Sequence, residues 1–257
     1  MSAGHQLNKS MDNRIELLKA LTKSESCPDF IGFGNPLSNI LVIGKECGKI
    51  DGDRISEIMD ELFVQQNSMR WKEYLSKDSH PRFNWLDDVP FDQMVERFDP
   101  SFAYWGQQNH CNRRSKRNPD KPLTGTSRTW YFYQMLIDLV FSRQKGKTDL
   151  LDFQDFCFIT ELSDISKAMS YIGDSKTTEK SIRHRIDSAF TAPFFQSFPI
   201  VFAPCEGYLS KYGLNLKQVF PESAVFTSKQ LSMNFTKDYL TAKAHDIKAA
   251  MSTLGLI

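Results

Sequence analysis

The 257-residue sequence contains no apolar run approaching the ~20 residues that span a bilayer. Its start, Met1 to Asn13, lacks the apolar core of a secretory signal, so a cytoplasmic protein with no membrane partner is expected. Cysteine is scarce and unpatterned. Cys27, Cys47, Cys111, Cys157 and Cys205 are odd in number and form no C-x-x-C pair, so neither a disulfide framework nor a zinc or iron–sulfur site is suggested and reduced thiols are expected. His5, His80, His110, His184 and His245 are scattered without metal-ligand spacing, so neither a metal nor an organic cofactor is implied. An excess of either charge is also missing. With 32 Lys+Arg against 31 Asp+Glu the net charge is +1, and any nucleic-acid site has to come from local clustering. Two clusters exist, Arg113, Arg114, Lys116, Arg117 and Lys121 in one stretch and Arg143, Lys145 and Lys147 in another. On charge alone they fit a solvated basic loop as well as a DNA contact. Repeats and domain linkers are absent.

What is present is the composition of a globular chain, 40% hydrophobic and 25% charged, at a length that one α/β domain fills. Ile15, Leu17, Leu18 and Leu21 predict an amphipathic helix over 13–22 that covers a sheet. Ile40 to Ile43 is a β-branched run bounded by Gly34-Asn35-Pro36 and Gly44, the pattern of a fully buried strand. A helix is predicted over 53–63, and the residues from about 67 to 129 read as a long insertion with short helices at most. Further helices are predicted over 129–141, 178–195 and 238–254, and further strands over 156–160, 200–203 and 224–227.

Short hydrophobic strands alternating with helices predict an α/β fold: a three-layer sandwich with a central, mostly parallel four-stranded sheet flanked by helices, in one domain spanning 1–257. Ligands of such sheets bind at the carboxyl ends of the strands. The loops that begin at Gly44, Glu161, Ala203 and Thr227 are therefore expected to share a cleft.

The segment Gly32-Phe33-Gly34-Asn35-Pro36 through Ile40-Leu41-Val42-Ile43 to Gly44-Lys45-Glu46-Cys47-Gly48 resembles the first motif of the uracil-DNA glycosylase superfamily, closest to its thermostable branch. Phe158-Ile159-Thr160-Glu161 resembles the family's second strand, and 182–195, 200–203 and 224–232 follow in the family's order. The resemblance implies a DNA glycosylase that flips a base out of DNA and excises it; a monomer is expected, although the sequence leaves the oligomeric state open. It also departs from the family in four ways. Glu46 stands where some branches place a catalytic Asp or Asn and others an Ala. Glu161 replaces the base-reading Asn, and Lys229 or Gln230 stands where a His is usual. The four-cysteine cluster of the thermostable branch is missing.

Hydrolysis of an N-glycosidic bond passes through an oxocarbenium-like sugar, so a carboxylate can stabilise the cation or activate water, and Glu46 is the candidate. Lys45 and Lys229 are candidates to meet charge on the departing base. Glu161, Gly44, Cys47 and Gly48 are expected at the base, with Tyr104 and Trp105 as stacking partners, while Trp130 and Tyr133, at helical spacing, fit core packing better. DNA contacts are expected from Asn35, Pro36, Arg113, Arg114, Lys116, Arg117, Ser228 and Gln230. An ionised Glu161 only accepts hydrogen bonds and so suits the exocyclic amine of cytosine. The expected substrate is thus a cytosine-type base, with the insertion leaving room for the hydroxymethylated or glucosylated cytosines of phage DNA, a defence role. Glu161 could equally cap the following loop and pair with Lys167. A catalytically silent nucleic-acid-binding module and a nucleoside or nucleotide hydrolase are the alternative functions.

Overall fold

The computed structural model describes residues 3–46, 60–77, 93, 96–103, 106–111, 125–165, 175–231 and 237–257. Five short stretches pair into one sheet: β1 (Phe33–Gly34), β2 (Ile40–Gly44), β3 (Phe158–Glu161), β4 (Ile200–Ala203) and β5 (Ala224–Thr227), in the order β1-β3-β2-β4-β5. β3, β2, β4 and β5 are parallel, and β1 runs antiparallel to β3. The sheet is therefore mixed and five-stranded, not four-stranded as expected. The added strand is only two residues long, too short to carry any periodicity. It exists because glycine lets it approach β3 closely. Gly32 and Gly34 have φ of +143° and +97°, and a Cβ on them would stand 2.3 Å from the Ile159 carbonyl oxygen and 2.4 Å from that of Cys157.

Alternate residues of the central strands feed opposite faces, and both faces are apolar, as a parallel sheet covered on both sides requires. Ile40, Val42, Ile159, Ile200 and Phe202 share a core with residues of α3 (Arg128–Val140) and α8 (Lys237–Thr253); α1 is Ala3–Lys23 and α2 is Asn67–Tyr74. Ser127 caps α3 by accepting the Trp130 N–H, and Tyr133, Leu136, Ile137 and Val140 form its buried stripe. Leu41, Ile43, Phe158, Val201 and Ala203 pack on the other face against α1 and α2 and against Phe194 and Phe195. Arg14 of α1 ties that layer to the entrance of β2, donating to Ser38 O and, at 3.0 Å each, to Ser197 Oγ and O.

The helix predicted over 178–195 is two: α4 (Ser175–Asp187) and α5 (Pro193–Gln196). Pro193 is the cause, since it ends a helix before it and is well placed to begin the next. Two helices beyond β4, α6 (Glu206–Lys211) and α7 (Leu216–Val219), were not predicted. At the start of the expected insertion, Trp71 of α2 is fully buried and so belongs to the core. The helix predicted over 53–63 falls largely outside the described residues; its end, Glu61–Gln65, is a π-helical turn. No helix among the described residues is long and apolar enough to cross a membrane.

The chain leaves β2 for β3 on one side and then returns past β2 to β4 on the other. That reversal opens a crevice at the carboxyl ends of the strands, where open α/β sheets bind ligands.

Candidate active site

The four strand-end loops named from the sequence do meet. The Ser163 N–H donates to Lys45 O at 2.9 Å and the Leu162 N–H to Gly44 O at 3.0 Å, joining the loops after β3 and β2. Cys205 Sγ lies 3.4 Å from Ile43 O, joining the loop after β4 to β2. The Glu206 N–H donates to Ser228 O at 3.0 Å and the Ser228 N–H to Ala203 O at 3.1 Å, which adds the loop after β5.

Register brings Gly44 opposite Glu161. The glycine leaves open the space that the Glu161 side chain fills, for a Cβ at position 44 would stand 2.0 Å from Glu161 Oε2. Glu161 is 5% exposed, and its Oε2 is buried with no hydrogen-bond partner. Burial first, then the negative charge of Glu46, pushes its carboxyl up to about 8, against the opposing pull of Arg185 and Lys45. The expectation of an ionised, acceptor-only Glu161 is thereby corrected. The neutral carboxyl that prevails at pH 7 both donates and accepts. The pairing with Lys167 falls outside the described residues.

Glu46, two residues past β2, is half-buried, and its Oε2 is likewise buried without a partner. Tyr208 hydrogen-bonds the Glu46 side chain, and burial together with this bond pushes the phenol up, so Tyr208 stays protonated and donates. Lys45 Nζ sits 4.8 Å from the centre of the Tyr208 ring, a cation–π contact that holds the lysine beside the carboxyls. Burial, with help from Glu161, also raises the Cys205 thiol, which makes it an inert packing group and not a nucleophile.

Arg185 reaches the site from α4 and is 1% exposed. It donates to Glu161 O at 2.9 Å, Thr160 Oγ1 at 2.9 Å and Phe30 O at 2.6 Å, so it fixes the backbone that carries Glu161. Sequence reasoning missed Arg185 and Tyr208. Arg185 was hidden in an Arg-His-Arg run that looks like a polar helix face, and only its three-residue offset from buried Ile182 hinted that it points inward.

Other expected residues lie elsewhere. Lys229 is exposed at the β5 end of the crevice, its N–H donating to Tyr239 Oη at 3.3 Å; the cations acting on Glu161 are Arg185 and Lys45. Ser228 is buried and donates to Lys229 O, and Gln230 is half-buried. Asn35 and Pro36 follow β1, whose end pairs with the first residue of β3, so they sit across the sheet from Glu46 and Glu161. There the Asn35 amide closes a turn, accepting the Leu37 N–H and donating to Asp155 O, both at 2.9 Å, and Pro36 is buried. The DNA contact expected of these two residues is therefore not part of the crevice. Trp130 stacks on Phe153 within the core. Cys47, Gly48, Tyr104, Trp105, Arg113, Arg114, Lys116 and Arg117 lie outside the described residues.

Among the described residues no three His, Cys, Asp or Glu side chains converge where a metal ion could be held. The class defined by fold and site is an α/β protein with two carboxyl groups at the reversal point of a mostly parallel sheet, one neutral and buried, the other held by a tyrosine. In comparisons with protein-family models, curated proteins and solved structures, the chain matches none.

Proposed function

We propose that this chain is a DNA glycosylase that hydrolyses the N-glycosidic bond of a flipped-out, cytosine-type base, on a three-layer sandwich of the uracil-DNA glycosylase kind, acting as a cytoplasmic monomer. The observation that carries the proposal is the pairing of Glu161, at the end of β3, with Glu46, two residues past the end of the adjacent parallel strand β2. Two carboxyl groups in different protonation states are what glycoside hydrolysis uses.

Glu46 is the base. Tyr208 holds its carboxylate, and the buried, unpartnered Oε2 takes the proton of the water that attacks C1′. The same negative charge stabilises the oxocarbenium-like sugar. Glu161 meets the Watson–Crick edge of the base, accepting from the N4 amine and donating to N3 of cytosine. Lys45, held over Tyr208, offers positive charge to the departing base. A 5-substituted cytosine, hydroxymethylated or glucosylated as in phage DNA, is the substrate class that would make excision a defence.

The test is base release from DNAs carrying uracil, cytosine, 5-hydroxymethylcytosine and its glucosylated form, by the native protein and by Glu46→Gln. Abasic sites should form on a cytosine-derived substrate, and the variant should lose about 100-fold or more in rate. Binding to DNA with no base released from any of them would make the chain a silent binding module. Cleavage of free nucleosides alone would make it a nucleoside hydrolase.

A further inference from the structure

Cytosine departs poorly as an anion, so an enzyme that excises it needs a proton for the leaving base. We infer that Glu161 is a catalytic acid that hands its own proton to N3 of the departing cytosine-type base. The inference rests on the glycosylase function proposed above and assigns Glu161 a transfer beyond recognition.

Geometry carries it. Glu161 ends β3 opposite Gly44, its Oε2 is buried and unpartnered, and the neighbouring acid is Glu46 on the next strand's loop. A buried carboxyl facing another negative group keeps a proton as the less costly state, and one that is not tied by a hydrogen bond at that oxygen can give the proton away. Burial, which pushes the carboxyl up to about 8, agrees with a group that is protonated at neutral pH yet able to lose the proton once the base gains electrons. Arg185, on the backbone of the same residue, supplies positive charge that eases the ionisation.

The step balances. The C1′–N1 bond breaks and its electron pair goes to the base. The Glu161 proton goes to N3, so the base leaves neutral and Glu161 becomes a carboxylate. Water adds to C1′, and its proton goes to Glu46. Each carboxyl then returns to its starting state by exchange with solvent, and one water is consumed for one base released.

The experiment is a pH–rate profile of cytosine-type base release by the native protein, Glu161→Gln and Glu161→Asp, beside an infrared titration of the Glu161 carboxyl in the native protein. The native rate should fall as pH rises through the carboxyl titration. Glu161→Gln keeps a donor and an acceptor but has no proton to transfer, so it should lose about 100-fold or more in kcat and show no such alkaline fall. Glu161→Asp should recover part of the rate together with the alkaline fall. Release by Glu161→Gln at the native rate, or with the same alkaline fall, overturns proton donation and leaves the glycosylase standing. No release from any DNA by the native protein overturns the glycosylase and this inference with it. Where Glu161→Gln does not fold, the native profile decides: coincidence of rate and carboxyl titrations supports the transfer, and their separation by more than about one pH unit overturns it.

Discussion

The Glu161 side chain lies on Gly44, where a missing Cβ leaves room for its carboxyl, and everything chemical about it follows from that burial. The same burial has a consequence for stability that does not depend on catalysis. In the folded protein the carboxyl keeps its proton up to about pH 8, whereas unfolded it ionises near the ordinary 4.5. Between those values the native state binds more protons than the unfolded state, so this group's contribution to stability is whole below 4.5 and is lost as the pH rises towards 8. The slope reaches at most about 1.4 kcal/mol per pH unit. Glu161→Gln removes the titrating group, and its stability should vary less with pH over that window. Urea midpoints of both proteins, taken in steps across the window, measure this. Parallel curves would mean that Glu161 ionises as an ordinary surface acid does.

Among the elements, α2 shows how the helical layer positions the glycine lead-in. Asn67 accepts the N–H groups of Ile31 and Gly32 at 2.9 and 3.0 Å and donates to Gly32 O at 2.9 Å, and Trp71 Nε1 donates to the same carbonyl at 2.7 Å. Asn67→Ala leaves two buried N–H groups unpaired and should cost about 2–4 kcal/mol, read as a shift in the midpoint of chemical denaturation. A loss within about 0.5 kcal/mol would show that the backbone finds other partners. None of this was visible in the sequence. Asn67 opens a stretch without sustained periodicity, and its partners are 35 and 36 residues away. β2 and β4, by contrast, could be located to within about one residue, because a parallel strand buried on both faces writes an unbroken apolar run, and the half-buried edge strand β5 carries a similar apolar run. The Glu161 loop could be placed at the crevice for the same reason. Its protonation state could not, since that depends on Gly44 across the register, on Glu46 and on depth of burial, which are properties of the assembled sheet. Asn35–Pro36 forms the turn its residue types predict, but the DNA contact that the family resemblance implied for it meets strand direction, which puts it at the far end of β2.

Across the whole molecule the charge is nearly balanced, at +1, so attraction to a polyanion cannot arise from the overall field and has to be local. The densest local source in the sequence is Arg113, Arg114, Lys116 and Arg117, with Lys121 close behind. If these cations neutralise phosphates, each contact releases counterions, and the logarithm of the affinity falls against the logarithm of salt by about 0.9 per contact on duplex DNA. Replacing Arg113, Arg114, Lys116 and Arg117 by Glu should weaken duplex binding and flatten that slope by about 0.9 for every phosphate contact removed. Titrations of a labelled duplex across a series of salt concentrations, with native and substituted protein side by side, give both quantities. Hydrolysis of a short substrate at saturating concentration should survive the charge reversal while action on long DNA declines. Unchanged affinity and slope would remove the stretch from any polymer interface. The two-carboxyl crevice would then be better matched to a free nucleoside, whose recognition needs the base edge and the sugar but no phosphate track.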